Sequence, residues 1–358
     1  MKNDAYNRPL HRLALLTAGL TFPLIFLGGL VTSKHAGMSV PDWPNTWGYN
    51  MFTFPPSKWV GGILYEHTHR LLASAVGFMT IVLATVAWVT DRRPLIRWTS
   101  VALILAVCVQ GVIGGLRVVL SDLDLAIAHG CAGQLFFCFA ATFCVLTSAL
   151  WTQKTNIPDP QLLIVRSVLR FSLVTTAIVF GQLVIGAIMR HSGAGLAIPD
   201  FPTSYGAFFP PVHIDNAFRR AAIHHYGADL GINQVTPFQI WIHFAHRIGA
   251  VFVSGAVIVL SATILSKMRR LKTLARPAIG LLVLLGIQVT LGILTVLLHK
   301  PADIASAHVA VGALVLMTTW VIAVRSYSVL RNAPASVEQA DQPGSTARAA
   351  HLIGALSA

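Results

Sequence analysis

The chain has 358 residues, of which 55% are hydrophobic and only 11% are charged. Water-soluble domains carry roughly 25% charged residues, so this composition excludes an ordinary soluble globular protein. A net charge of +13 suits a nucleic-acid-binding protein, but the distribution of the basic residues along the chain points to a membrane topology instead.

Eight apolar stretches follow one another along the chain, each close to the roughly 20 residues that cross a bilayer. Such stretches have to be helical in lipid, because every backbone polar group needs a partner within the segment. The sequence therefore predicts an all-α integral membrane protein with eight transmembrane helices, at residues 13–32, 63–88, 98–118, 127–150, 171–189, 241–265, 278–298 and 304–324.

Lysine and arginine lie mostly on one side of this predicted topology. The side that holds the termini and alternate loops carries 17 of the 26 basic residues, the other side carries seven, and two lie within helices. The positive-inside rule then predicts that both termini are cytoplasmic. The start of the chain lacks an Arg- and Ser-rich presequence, which favours a bacterial inner membrane over a mitochondrial one.

The first half of the chain aligns with the second half. GGLVTSKHAGMSVPDWP at 28–44 matches GAIMRHSGAGLAIPDFP at 186–202, EHTHR at 66–70 matches HFAHR at 243–247, and AHGCAG at 128–133 matches AHVAVG at 307–312. The offset is 158 at the first match and 177 to 179 at the later ones, so the second half has about 19 extra residues in its first outer loop.

Each half contains an even number of spans, so both halves have the same orientation. This pattern predicts two tandem four-helix bundles related by a pseudo-two-fold axis along the membrane normal. The predicted divisions are a cytoplasmic N-terminus (1–12), an N-terminal half (13–151), a linker (152–170), a C-terminal half (171–325) and a disordered cytoplasmic tail (326–358).

Two histidines occupy repeat-equivalent positions in each half, His69 and His129 in the first and His246 and His308 in the second. Two imidazoles that face each other across a bundle can supply both axial ligands of a heme iron. A core histidine bonded to its neighbours is the alternative for any one of them. The repetition of all four favours cofactor ligation, since polar groups inside a membrane usually mark function.

Arg70 and Arg247 directly follow two of these histidines. We predict that they contact heme propionates, because guanidinium groups pair with carboxylates. The alternative is that both side chains extend to the membrane interface.

Glu66 distinguishes the two halves, because it lies one turn before His69 whereas His243 stands at that place in the second half. A carboxylate beside a metal site can accept a proton or hold a water molecule. The alternative is a structural, hydrogen-bonded glutamate. A di-iron site is excluded by ligand count, since the remaining glutamate, Glu338, lies in the tail.

Taken together, the EHTHR, AHGCAG, HFAHR, AHVAVG and PDWP/PDFP motifs resemble those of the heme A synthase family, over about residues 10–330. The resemblance implies an oxidoreductase that converts heme O to heme A for cytochrome c oxidase. A methyl group is hydroxylated twice, and the product loses water to give a formyl group. It further implies that the N-terminal half holds the substrate heme near His69 and His129, that Glu66 is the catalytic carboxylate, and that His246 and His308 ligate the iron of a resident heme b.

The partners implied are heme O, heme O synthase, an electron donor of unidentified type and the lipid bilayer. A homo-oligomer is left open, and no nucleic acid is expected. Some family members carry a cysteine pair in the first outer loop, whereas residues 33–62 contain no cysteine.

Two other functions are considered. A b-type diheme cytochrome for quinol-linked electron transfer would not need a carboxylate on one side only. A transporter built from a parallel repeat would place its site at the membrane midplane, away from these histidines.

Overall fold

The computed structural model describes residues 6–153, 157–227 and 232–333. The secondary structure in these ranges is helical, and the prediction of an all-α protein with eight transmembrane helices is confirmed by eight helices that are long and apolar enough to cross a membrane. These are α1 (Arg8–Ser33), α2 (Gly62–Thr90), α3 (Pro94–Val119), α4 (Leu123–Thr147), α5 (Asp159–His191), α6 (Pro237–Lys267), α7 (Lys272–Leu297) and α8 (Ala302–Arg331).

The starts of these helices follow from local sequence. Proline lies in the first turn of four of them, where its missing N–H breaks no helical hydrogen bond: Pro9, Pro94, Pro160 and Pro237. Asp122 caps α4 by accepting hydrogen bonds from the Asp124 and Leu125 amides. Thr236 and Gln239 form a reciprocal capping box at the start of α6.

The helices contact one another in the same order in both halves. In the first half α1, α2, α3 and α4 pack as a closed ring in that order, and α5, α6, α7 and α8 do the same in the second. The halves meet where α1 packs on α8, α4 on α5, and α4 on α8. This order agrees with a two-fold relation between the bundles, which itself stays a prediction.

Large apolar side chains cover the outward-facing surfaces of α3 and α7. Leu105 is 62% exposed and Val283 is 59% exposed. Contiguous apolar surface of this kind is unfavourable in water and suits contact with lipid tails. The protein is thus a multi-pass membrane protein.

Two predicted divisions differ from the structure. The predicted linker 152–170 is helical from Asp159 onward and forms the first turns of α5, because Pro158 and Pro160 mark the start of that helix rather than a long loop. The predicted tail from 326 is helical as far as Arg331, and its remainder from 334 lies outside the described residues. A short helix, Ala149–Thr152, follows α4.

Both halves have a long connection after their first helix, at 34–61 and 192–236. The second of these contains a helix, Asn216–Tyr226, that the first lacks. The expected extra residues of the second half therefore belong to this connection. Four of its residues, 228–231, are outside the described residues.

Candidate functional site

The four predicted ligand histidines lie at the end of the bundle opposite the start of α1 and the end of α8. We call this the distal end; it is formed by the connections 34–61, 120–122, 192–236 and 298–301. The histidines follow the first residue of α2, α4, α6 and α8 by six to nine positions, so all four are at similar depth. The topology alone therefore brings them to one level.

The structure brings the histidines together as two pairs. The ring centres of His69 and His129 are 6.5 Å apart with their planes at 81°, and those of His246 and His308 are 6.3 Å apart at 71°. Imidazole–metal bonds are about 2 Å long and a ring nitrogen lies about 1 Å from the ring centre, so two imidazoles on one metal ion have centres about 6 Å apart. The spacing of both pairs fits a single metal ion.

Each imidazole rests against a glycine on a neighbouring helix. A Cβ atom at Gly114 would lie 2.7 Å from Cε1 of His129, and the same holds at 2.9 to 3.1 Å for three further pairs: Gly28 with His69, Gly186 with His246, and Gly292 with His308. Real Cβ contacts are almost never as short as those at Gly114 and Gly186, and those at Gly28 and Gly292 are tighter than nine in ten, so a side chain at these positions would press on the ring. These four glycines thus make room for the histidine rings, which is more specific than the close helix packing that Gly114 and Gly292 indicate in the sequence.

The Nδ1 atoms of the two pairs differ in their partners. In the C-terminal half, His246 Nδ1 lies 3.0 Å from the Gln182 side-chain amide and His308 Nδ1 lies 3.1 Å from the Gln288 carbonyl oxygen. In the N-terminal half, Nδ1 of His69 and of His129 are buried without a hydrogen bond of acceptable geometry. Metal-bound imidazoles usually donate their second N–H to an acceptor. His308 Nδ1 has such an acceptor in the Gln288 carbonyl oxygen, whereas the atom beside His246 Nδ1 is the Gln182 amide nitrogen, a donor. The C-terminal pair is therefore the better supported ligand set through His308.

The residues present fit a heme in both halves. No group of three or more His, Cys, Asp or Glu side chains is placed to hold a metal ion in the part of the chain that the structure describes. Two imidazoles on opposite sides suit a heme iron, because the porphyrin supplies the other four ligands. The spacing of the two histidine pairs and the glycine contacts are the observations that support this fit.

Arg70 and Arg247 both clamp the long distal connection of their own half. Arg70 donates to the carbonyl oxygens of Val40, Asp42 and Asn45 at 2.7 to 3.0 Å. Arg247 donates to the three repeat-equivalent carbonyls, those of Ile198, Asp200 and Thr203, at 2.7 to 3.1 Å. Most of the donors of both guanidinium groups are thereby used within the protein. Contacts of Arg70 and Arg247 with propionates stay a prediction.

Glu66 is 2% exposed, and both of its carboxylate oxygens have protein partners. One oxygen accepts from the Val40 amide at 2.9 Å, and the other forms an ion pair with Arg70 at 2.9 Å. In the second half, His243 Nδ1 accepts from the amide of Ile198, the repeat counterpart of Val40, at 3.3 Å. Glu66 and His243 therefore anchor the same loop amide, and the carboxylate is the chemical difference between the halves.

An aspartate organises each of the two connections. Asp42 accepts from the amides of Trp47 and Gly48 at 2.8 and 2.7 Å. Burial alone would raise the pKa of its carboxyl group, but these hydrogen bonds and the charge of Arg70 outweigh burial and lower it. Asp200 accepts from the repeat-equivalent amides, of Tyr205 and Gly206, at 2.7 and 2.8 Å. The two loops thus share one fold.

Three partly buried residues near the histidine pairs were not recognised in the sequence as part of the site. Gln182 bonds His246, whereas its repeat counterpart is Leu24, so a comparison of the halves at that position is the signal that finds it. Arg117 and Arg190 sit at the distal ends of α3 and α5, where charge counting treats them as loop residues. No sequence signal separates them from solvated arginines.

Comparison with known proteins gives one family. The model of the family described as "Cytochrome oxidase assembly protein" (COX15-CtaA) matches residues 11–320. Proteins named heme A synthase are similar over most of their length. The protein from Shewanella oneidensis is 25% identical over 321 residues, covering 85% of this chain and 92% of its own.

Two further relatives with the same name have similar coverage. The protein from Rickettsia bellii is 26% identical, covering 86% of this chain and 94% of its own. The protein from Nitrosospira multiformis is 26% identical, covering 88% and 93% respectively. The family model covers both histidine pairs and the connections that overlie them, so the chain belongs to the COX15-CtaA family of cytochrome oxidase assembly proteins.

Proposed function

We propose that this protein is a heme A synthase. It oxidises one methyl group of heme O by two successive hydroxylations, and loss of water then gives the formyl group of heme A for cytochrome c oxidase. The observation that carries the proposal is the pair of facing histidines in each half, with four glycines that make room for their rings. Relatives that bear this name match more than four-fifths of the chain.

The two halves are proposed to have different tasks. The N-terminal half, 13–151, holds the substrate heme O near His69 and His129, and the C-terminal half, 171–325, holds heme b on His246 and His308. Two asymmetries support this assignment. The carboxylate of Glu66 is present only in the first half. The Gln182 contact to a ligand Nδ1 is present only in the second, where a permanently bound group needs the firmer support.

The residues of the N-terminal half position and protect the reacting edge of the substrate. Glu66 is proposed as the catalytic carboxylate, a proton acceptor whose orientation is fixed by the Val40 amide and Arg70. Arg70 holds the 34–61 connection against α2, so this connection covers the distal end of the bundle and limits access of water. Heme b supplies one-electron transfer when it is bound.

The surroundings are proposed from the sequence. The chain resides in a bacterial inner membrane with both termini in the cytoplasm, heme O is delivered by heme O synthase, and an electron donor reaches the heme b half. The bacterial relatives and the eight apolar helices support the membrane location.

A b-type diheme cytochrome is the second candidate. The near-identical spacing of the two histidine pairs, at 6.5 and 6.3 Å, favours it, because two electron carriers need equivalent sites. It differs from the synthase in that it contains two equivalents of one heme and yields no product.

The test is extraction of porphyrins from the purified full-length protein. Heme O, a hydroxylated intermediate or heme A beside heme b is expected. Two equivalents of heme b alone would favour the cytochrome, and a protein without heme would contradict both functions. His246→Ala should lose heme b, whereas His299→Ala, at an exposed position after α7, should retain it. A normal bis-histidine spectrum in His246→Ala would overturn that ligand assignment.

A further inference from the structure

Four cationic or titratable side chains gather at the distal end: Arg117, Arg190, His191 and Lys300. We call them the distal cation cluster. Both arginines lie within electrostatic range of His191, and Arg190 lies within range of Lys300. Two ion pairs occur among the described residues, and neither includes a member of this cluster.

Arg117 supplies a guanidinium group to the N-terminal half. It projects from the last turn of α3 and lies within electrostatic range of both His69 and His129. Its one hydrogen bond to a described residue is a long one, 3.4 Å, to the carbonyl oxygen of Gly37. A guanidinium group has five N–H donors, so most of this group's donors lack a protein acceptor.

The C-terminal half brings a cation to the same place from a different sequence position. Gly195 is the repeat counterpart of Gly37, and a Cβ atom there would lie 3.2 Å from Cδ of Lys300. At Gly37 a Cβ atom would lie 2.9 Å from Arg117 Nη2. The repeat counterpart of Arg117 is Thr295, whose hydroxyl bonds its own helix. In both halves, therefore, a cationic side chain lies beside the repeat-equivalent loop glycine, although the two cations come from different repeat positions.

Arg190 lies between the halves. It donates to the Gly29 carbonyl oxygen and, at 2.7 Å, to the Ser33 hydroxyl on α1, and it lies within electrostatic range of His308. Burial, followed by the charge of Arg190, lowers the pKa of the Lys300 ammonium group. Cations brought together in partly buried positions are unfavourable unless an anion joins them. Glu66 lies within electrostatic range of Arg117, but its two oxygens are bonded to Val40 and Arg70.

We propose that the distal cation cluster binds the carboxylate groups of the two tetrapyrroles, with Arg117 serving the N-terminal half and Arg190 and Lys300 serving the C-terminal half. The inference rests on the proposed function, since it takes heme O and heme b as the ligands. Arg117 and Arg190 offer the planar donor fork that matches a carboxylate, while Arg70 and Arg247 use theirs on loop carbonyls.

The experiment compares iron mesoporphyrin with its dimethyl ester, whose carboxylates are blocked. The full-length protein from heme-starved cells is placed in nanodiscs of neutral lipid, and binding is followed by the bis-histidine absorption spectrum. His129→Ala leaves the C-terminal pair as the intact pair, and His308→Ala leaves the N-terminal pair. Lys300→Gln is tested in the first background and Arg117→Gln in the second. Lys34→Gln, at an exposed position in the first connection, is the matched control.

The free acid is expected to bind roughly ten-fold more tightly than the ester, as for one charge-assisted contact. Arg117→Gln should abolish that preference in the N-terminal half, and Lys300→Gln should reduce it in the C-terminal half, where Arg190 remains. Lys34→Gln should keep it. A preference that persists unchanged in Lys300→Gln and Arg117→Gln would overturn the inference, as would an equal loss of affinity for acid and ester.

The cluster's anion has a second chemical source, the phosphate of a lipid headgroup. Retention of anionic lipid by the wild type but not by the variants, with the preference for the free acid unchanged, would assign the cluster to lipid and overturn the inference. Failure of both acid and ester to bind the wild type would instead contradict the proposed function itself.

Discussion

Glu66 and His243 stand at the same repeat position and accept hydrogen bonds from repeat-equivalent amides, at 2.9 and 3.3 Å. Both halves therefore anchor their loop by this hydrogen bond, whereas only the N-terminal half has a negatively charged acceptor. This relationship separates two roles of Glu66 that an alanine substitution would confuse, because alanine removes the anchor and the carboxylate together.

Glu66→His should retain the loop anchor and lose heme A production by at least about 100-fold, as for loss of a catalytic carboxylate. The second half shows that a histidine suffices as the anchor beside an arginine. Glu66→Ala should in addition lower thermal stability by about 3 kcal/mol, because Arg70 loses its buried partner. Porphyrin extraction and thermal unfolding measure the two effects. Heme A production in Glu66→His that matches the wild type would leave the residue an anchor alone.

Gly114→Ala should weaken heme ligation without weakening the fold. The added Cβ would lie 2.7 Å from Cε1 of His129, so the ring has to move by about 0.7 Å to regain an ordinary contact of 3.4 Å. Alanine also favours the helix over glycine by about 1 kcal/mol. The expected result is an unchanged or raised melting temperature with loss of the bis-histidine spectrum in the N-terminal half.

Gly111→Ala is the matched control for Gly114→Ala. It lies on the same helix one turn earlier, and a Cβ atom there meets nothing within 4 Å. Heme binding should be unaffected. Equal spectra in the two variants would show that the glycine contact does not set the position of His129.

The eight spans, the repeat and the four histidines could all be predicted from the sequence, because hydrophobic run length and aligned motifs are local signals. The pairing of His69 with His129 and of His246 with His308 also follows, since α2 and α4 run in the same direction, as do α6 and α8, and their early turns therefore lie at the same end. These are features for which chain order and helix length determine position.

The contacts of the long polar side chains could not be predicted in this way. Arg70 follows a predicted ligand directly, yet its guanidinium group reaches 25 to 30 residues back to loop carbonyls. Arg117 appears in the sequence as a loop cation, yet its guanidinium group lies against Gly37 and within electrostatic range of His69 and His129. Side chains of this length cover several ångströms, so their partners depend on the packed loops and not on sequence spacing.

Gln182→Leu should speed heme loss from the C-terminal half by roughly ten-fold, as for removal of an outer-shell partner of a metal ligand. The amide lies 3.0 Å from His246 Nδ1 and donates to the His246 carbonyl oxygen at 2.7 Å. The amide nitrogen makes both contacts, so the one that does not depend on the imidazole tautomer is the hydrogen bond to the His246 carbonyl oxygen, which holds the backbone of the ligand residue. Transfer of heme to apomyoglobin measures the rate, and the midpoint potential of the heme should shift with it.

The reciprocal change makes the comparison specific. Gly249 leaves room for Gln182, and its repeat counterpart is Leu72, so the N-terminal half needs Leu24→Gln together with Leu72→Gly. This double variant should slow heme loss from the N-terminal half, whereas Leu72→Gly alone should not. An unchanged rate in Gln182→Leu would show that the amide supports the helix contact and not the ligand.

Acid should open the two distal connections before the helices are affected. The carboxylates of Asp42 and Asp200 each accept two backbone N–H bonds, and the pKa of each is lowered because these hydrogen bonds outweigh the opposing effect of burial. A lowered folded-state pKa means that the contribution of each carboxylate to stability is complete above the unfolded-state pKa of about 4. That contribution is lost as the pH falls through the folded-state pKa.

Limited proteolysis of the loops should therefore be slow at pH 7 and accelerate below about pH 4. Asp200→Asn keeps one acceptor oxygen but places its NH2 group against the amide of either Tyr205 or Gly206, so it should be cleaved faster at pH 7 and respond less to acid. Asp124→Asn, at an exposed position in the first turn of α4, should behave as the wild type. A wild-type acid profile in Asp200→Asn would show that the turn is held by its other contacts, and the ion pair of Glu66 with Arg70 would then be the next group to test.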